Sequence, residues 1–187
     1  MKLRKTVFLL TVSVGAATAG QASETVLLNE SPAYLCYRQT QLDSRMPDVE
    51  QCDVAIEYQS LERVDLAATY MNRGILLARA GKLKAALADQ DKAIAIAPEM
   101  SQGFINRSNV RVRMKQYAQA MQDLDTAVGI GDVALGVAYY NRALLFQKIG
   151  DLDAARHDAR KASALAPESL EYAEYSRALD AVDTLTQ

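Results

Sequence analysis

Asn72, Asn106 and Asn141 recur at intervals of 34 and 35 residues, and each is followed seven residues later by a cation, Arg79, Arg113 or Lys148. A carboxamide offers one acceptor and two donor hydrogens, which matches the two polar groups of a peptide bond. A cation beside it can favour an acidic side chain or a terminal carboxylate. Seven residues is almost two turns of α-helix, so amide and cation would share one stripe of a helix surface. Asn109, three residues after Asn106, would widen the amide stripe at its middle. Plainer roles exist for both columns. An asparagine near a helix–helix seam can satisfy neighbouring backbone, and a cation near a helix C-terminus is stabilised by the helix dipole without any ligand.

A second regularity lies one residue further on. Arg73, Arg107 and Arg142 are followed sixteen residues later by Asp89, Asp123 and Asp158. Acid and base recur together, so the expected role is structural: bidentate pairing between helices that fixes their register.

The elements that must position these residues show in the same repeats. "YMNRGILLARAG" (70–81), "FINRSNVRVRMK" (104–115) and "YYNRALLFQKIG" (139–150) are each followed by an alanine-rich segment, 81–98, 115–132 and 150–167. Ala86, Ala120 and Ala155 coincide, as do Ala93, Ala127 and Ala162, and so do Pro98, Asp132 and Pro167. The units run Ala67–Met100, Ser101–Ala134 and Gly136–Ser169, with Leu135 as a one-residue insertion. Each divides at a middle turn, Ala80-Gly81, Lys115-Gln116 or Gly150-Asp151, into two helices of about three turns. Small residues at Gly74 and Ala86, Ser108 and Ala120, and Ala143 and Ala155 would let paired helices approach closely, and Pro98 and Pro167 end second helices. The middle unit departs most: Asp132 stands where the others have proline, and Arg111 where a large apolar residue is expected.

This pattern resembles the tetratricopeptide repeat (TPR), a helix–turn–helix unit of 34 residues. The resemblance implies an all-α solenoid of helical hairpins, because one such unit cannot bury its apolar face alone. The segment after Pro167, residues 170–187, fits a capping helix with Tyr172, Tyr175, Leu179, Val182 and Leu185 near one face. In this family the first helices line a concave groove. In the superhelix of O-linked N-acetylglucosamine transferases a ladder of asparagines holds the backbone of an extended peptide. Asn72, Asn106 and Asn141 fall on that ladder position. The resemblance therefore implies a peptide-binding surface made of these three, with Asn109 and the cations Arg79, Arg113 and Lys148 beside them.

The two cysteines point to a further, degenerate unit. "CDVAIEYQS" (52–60) resembles "QDKAIAIAP" (90–98), which sets Cys52 in the place of Gln90 and Cys36 in that of Gly74. The separation is sixteen in both pairs, as in Ser108/Leu124 and Ala143/Ala159. In an exported chain that spacing suggests a disulfide stapling a first hairpin at about residues 29–60, worth ~3 kcal/mol by the chain-entropy argument. Two unpaired buried thiols are the alternative. The hairpin and its linker, "QSLERVD" included, would fill residues 23–66.

Export itself is expected from residues 1–22, "MKLRKTVFLLTVSVGAATAGQA", with three early cations, an apolar run and small residues at its end. The run is short for a membrane span of ~20 residues. The expected location is therefore secreted or periplasmic, with no stable membrane insertion after cleavage; an uncleaved anchor is the alternative. Removing this segment leaves 18 bases against 23 acids, a net charge of −5. That balance argues against nucleic acid as partner, since cations are needed to replace counterions along phosphates.

Nothing in the sequence places a nucleophile beside a base, a metal-ligand cluster or a phosphate-binding loop. The single histidine, His157, is expected on a solvated face, and Gly129 and Gly131 read as a helix stop. The chain is expected to be no enzyme, to take no cofactor or metal, and to bind a protein or peptide. An envelope assembly scaffold working through its convex face or caps is the other reading.

Overall fold

The computed structural model describes residues 31–42, 44 and 47–184. The expected signal segment (1–22), the start of the degenerate hairpin, the Val182 side chain and Leu185 lie outside the described residues. Among the described residues the chain is all helix: α1 Pro32–Gln41, α2 Glu50–Tyr58, α3 Arg63–Arg79, α4 Leu83–Ile96, α5 Ser101–Arg113, α6 Tyr117–Ile130, α7 Leu135–Ile149, α8 Leu152–Leu165 and α9 Leu170–Thr184. Each helix packs on the next, and the first helices of successive hairpins, α1, α3, α5 and α7, also touch one another. The result is a solenoid of four hairpins closed by α9. None of these helices is long and apolar enough to cross a membrane.

The hairpin turns are set by backbone that bends to the left-handed region. Gly81 and Gly150 adopt φ of +78° and +93° at the ends of α3 and α7. Lys115 takes φ +61° at the equivalent place after α5, a conformation in which a Cβ is unfavourable. Gly131 stops α6 in the same way, at φ +68°.

Inside each hairpin the helices meet at one pair of seam positions: Cys36/Cys52, Gly74/Gln90, Ser108/Leu124 and Ala143/Ala159. All eight are buried. The small residue on the first helix of each pair is a packing requirement, shown at Gly74, where an added Cβ would lie 2.3 Å from Gln90 Nε2. At the first seam Cys36 and Cys52 are joined, with Sγ–Sγ 2.12 Å and Cα–Cα 4.7 Å. A covalent link there does what close van der Waals packing does in the other units.

The Arg/Asp pairs form a spine along the solenoid. Asp89, Asp123 and Asp158 are 4%, 2% and 1% exposed, so each carboxylate needs a full set of partners. Arg73 Nε and Nη2 donate to the two oxygens of Asp89 at 2.7 and 2.8 Å. Arg142 grips Asp158 in the same bidentate manner at 2.6 and 3.1 Å. Arg107 donates to Asp123 at 2.7 Å, and Arg111 adds a second cation at 2.7 Å. The second contact explains why an arginine stands where an apolar residue was expected. The third nitrogen of each spine arginine reaches back one hairpin, to Asp53 at 2.6 Å, Asp91 at 2.7 Å and Asp125 at 2.9 Å. Each guanidinium also lies 5.4–5.5 Å from the ring three residues before it, Tyr70, Phe104 or Tyr139. One side chain thus ties its own hairpin together and fastens it to the preceding one. At the last hairpin the pattern reverses: Arg160 occupies the acid's place and pairs with Asp180 of α9 at 2.8 Å.

Two departures from sequence expectation have local causes. The linker after the first hairpin is shorter than "QSLERVD", since α3 begins at Arg63. Arg63 hydrogen-bonds the Ile96 carbonyl at 2.8 Å and pairs with Glu99, which holds the extra turn against the end of α4. Asp132, in a proline's place, accepts from Ser101 N at 3.0 Å, Ser101 Oγ at 2.6 Å and Ala134 N at 2.8 Å. It joins the start of α5 to the start of α7. Burial works against the ionised Asp132, but these hydrogen bonds outweigh it and hold the carboxyl below its ordinary range.

The cap is aromatic. Tyr140 stacks on Tyr172 with centroids 4.4 Å apart and meets Tyr175 edge-on at 5.3 Å. Its hydroxyl donates to Glu171 at 2.8 Å. Burial and that carboxylate push the Tyr140 phenol up to about 12. Leu179 is buried with Ala143, Ala155 and Ala159, and Tyr175 packs against them.

Candidate functional site

The amide stripe is an outcome of the spine. Asn72, Asn106 and Asn141 each precede a spine arginine, so fixing the arginine toward the seam turns its neighbour about 100° round the helix. The three asparagines are partly exposed on the first helices. Ile75, Asn109 and Leu144 stand one turn on, and Arg79, Arg113 and Lys148 a turn beyond that, all four of the polar ones exposed.

These residues line three hollows in succession. The first, of about 350 Å³, lies between α1 and α3 and is bounded by Tyr34, Tyr37, Gln59, Asp65 and Asn72 among others. The second, of about 250 Å³, lies between α3 and α5; Arg79, Gln90, Asn106, Asn109 and Arg113 face it with Ile75 and Val110. The third, of about 440 Å³, lies between α5 and α7, with Asn109, Asn141 and Lys148 at its rim and Val112, Leu124, Leu144 and Leu145 giving it an apolar lining. The structure therefore brings all seven sequence-predicted site residues to one face, distributed over consecutive hairpins.

Their hydrogen bonding differs. Among the described residues, the side chains of Asn72, Asn106 and Asn109 make no hydrogen bond to protein. Asn141 Nδ2 donates to Val137 O of its own helix at 2.9 Å, so one of the three ladder amides is partly occupied. The cations divide more sharply. Arg79 donates to the Leu42 carbonyl just past α1 at 3.2 Å, and Arg113 donates to the Ala78 carbonyl near the end of α3. Each reaches back to the C-terminal end of the preceding hairpin's first helix, where a cation is stabilised by the helix dipole; the Ala78 carbonyl accepts from Gly81 N as well as from Arg113. This is a capping role across the seam, with the remaining guanidinium N–H groups left over for the hollow. Lys148 has no such contact among the described residues.

Several residues of this face are not announced by the asparagine period. Tyr34 lies 38 residues before Asn72, the same offset as Cys36 before Gly74, so it takes the asparagine's place in the first hairpin. Tyr37 correspondingly takes that of Ile75. Both are exposed, with ring centroids 6.5 Å apart. The cysteine register carries this information, since extending it two residues upstream reaches Tyr34. His157 is exposed on α8, away from these hollows. Among the described residues no group of three or more His, Cys, Asp or Glu could hold a metal ion.

Comparison with known proteins agrees with this architecture. The tetratricopeptide repeat family model matches residues 67–100 and 137–169. The hairpin between those matches keeps the same stacking and the same Arg107–Asp123 pair. Human tetratricopeptide repeat protein 36 is 32% identical over 96 residues, 50% of this chain; the chain spans about half (51%) of that relative's length. Among solved structures, a thermophilic TPR protein of Thermus thermophilus superposes with a TM-score of 0.65 at 21% identity, covering 83% of this chain and 84% of its own. The first TPR domain of Spaghetti, bound to the HSP90 peptide SRMEEVD, superposes with a TM-score of 0.57 at 22% identity, covering 65% of this chain and 94% of its own. At these identities the structural likeness speaks for the fold, an all-α TPR-type helical repeat.

Proposed function

We propose that this chain, whose fold is an all-α TPR-type helical repeat and whose residues 67–100 and 137–169 match the tetratricopeptide repeat family model, binds an extended peptide segment along the first-helix face, outside the cytoplasm. The observation that carries this reading is the series of three hollows, each edged by a ladder asparagine, two of whose amides have no protein partner among the described residues. First helices in contact stand about 8–10 Å apart, roughly three residues of extended chain. A segment crossing α3, α5 and α7 would meet a carboxamide at each crossing, able to accept from its N–H and donate to its C=O. The apolar third hollow takes a hydrophobic side chain, and the spare N–H groups of Arg79 and Arg113 offer donors to an acceptor group of the segment in the middle hollow. A neighbour of the same fold holds the peptide SRMEEVD, which supports a peptide as ligand class.

The test is a peptide array probed with the purified protein. Capture of a defined set of peptides, lost in the Asn72→Ala, Asn106→Ala, Asn141→Ala triple variant, supports the reading; capture unchanged by the triple variant contradicts it. Export is tested separately, by the N-terminal mass of the protein taken from the native envelope fraction.

One observation favours a second reading, a scaffold that joins partners through its capped end. Val133 and Leu170 are 98% and 76% exposed, and Val137 and Leu165 are exposed near them. With Gly136 and Tyr172, Val133, Val137 and Leu165 edge a hollow of about 330 Å³. On that reading Val133→Asp would abolish partner capture while the groove variants leave it intact.

A further inference from the structure

Three of the four hairpin seams are filled by side chains that need nothing more. Cys36 and Cys52 are joined, Ala143 faces Ala159, and Ser108, opposite Leu124, donates its hydroxyl to Ile105 O at 2.7 Å. The hairpin of α3 and α4 instead sets Gly74 against Gln90. The absent Cβ at Gly74 leaves the space that the glutamine amide fills.

Gln90 is wholly buried, and it lines the middle hollow. Its Nε2 donates to the Met71 carbonyl at 3.1 Å, which fixes which end of the amide faces which way, because the reverse orientation would set two oxygens together. Its Oε1 is left as a buried side-chain acceptor with no partner among the described residues. A buried acceptor in that condition calls for a donor. The same hollow presents the spare N–H groups of Arg79 and Arg113 and the unpaired amides of Asn106 and Asn109.

The occupant must therefore donate at one point and accept at another. A carboxylate satisfies the guanidinium groups but brings Gln90 Oε1 no hydrogen. An ammonium group supplies the hydrogen but stands beside two arginines. An alkyl group does neither. A primary carboxamide does both within one small planar group. We infer that the middle hollow is a subsite for an asparagine or glutamine side chain of the bound segment. This rests on the groove reading above and adds a specificity to it.

The experiment is a positional-scanning library of acetylated, amidated nonapeptides probed with the purified protein. The wild type is expected to favour Asn or Gln over Leu, Asp and Lys at one position by about tenfold or more, the scale of one buried hydrogen bond. Gln90→Met keeps the length of the side chain, removes Oε1, and is expected to flatten that preference. Its thermal melt confirms that the variant is folded. Capture with no position selecting a carboxamide, as a water molecule at Oε1 would give, overturns the subsite and leaves the groove standing. So does an Asn/Gln preference that survives in Gln90→Met. No capture of any peptide overturns both.

Discussion

Arg73 and Asn72 are chain neighbours, as are Arg107 and Asn106, and Arg142 and Asn141, yet the two columns have opposite surroundings. Every spine arginine is held by a buried aspartate of its own hairpin and an exposed one of the preceding hairpin, and rests against an aromatic ring. The amides beside them are partly exposed and, for Asn72 and Asn106, unpaired among the described residues. A saturated column cannot respond to a ligand, because its donors are already used. An unsaturated column one residue away costs the fold little and keeps its hydrogen-bonding capacity for a partner. The comparison teaches that a repeat can divide stability and recognition between adjacent positions, and it makes separate predictions for each.

The largest effect is expected at Asp123. Asp123→Ala leaves Arg107 and Arg111 without their shared buried carboxylate, and the expected loss is about 3–5 kcal/mol in a urea denaturation experiment. A loss below about 1 kcal/mol would show that the spine does not hold the hairpins together. Cys36→Ala with Cys52→Ala should cost ~3 kcal/mol through the closed loop of the first hairpin, read in the same experiment under oxidising conditions. Under reducing conditions the double variant and the native protein should converge.

Asp132→Ala is expected to cost about 1–2 kcal/mol, the scale of a lost helix cap. Its folded-state carboxyl is depressed, so its contribution is complete above the ordinary value of 3.8 and fades as pH falls through the lower folded value. The native protein should therefore lose stability on acidification more steeply than the variant. At the other end of the scale the sign reverses. The folded Tyr140 phenol is raised to about 12, so its contribution is complete below pH 10 and fades between 10 and about 12. Circular-dichroism melts across that range should show the native Tm falling faster than that of Tyr140→Phe.

The sixteen-residue Arg/Asp separation and the cysteine pair are legible in the sequence because they join the helices of one hairpin, where the separation is constant, and the asparagines are legible because each stands beside a spine arginine. Contacts between hairpins are not. The back-reaching bonds Arg73–Asp53, Arg107–Asp91 and Arg142–Asp125 span 20, 16 and 17 residues, since the loops between hairpins differ in length. For the same reason the use of Arg79 and Arg113 as caps on the preceding hairpin is not visible in the spacing, which points equally to a dipole at their own helix ends. Tyr34 escapes the asparagine search because a hydroxyphenyl group stands in the amide's place. Gln90 reads as one more polar residue on a second helix until the empty space at Gly74 is seen opposite it.

The central claim is that the asparagine column is kept for a partner and contributes little to the fold. It is tested most directly by measuring one quantity of each kind on the Asn72→Ala, Asn106→Ala, Asn141→Ala triple variant: titration against the best peptide from the array, and urea denaturation. The account predicts binding weakened by at least about tenfold with unfolding free energy changed by no more than about 1 kcal/mol across the three partly exposed sites. Loss of several kcal/mol of stability in step with the loss of binding, or full binding by a stable variant, would contradict it.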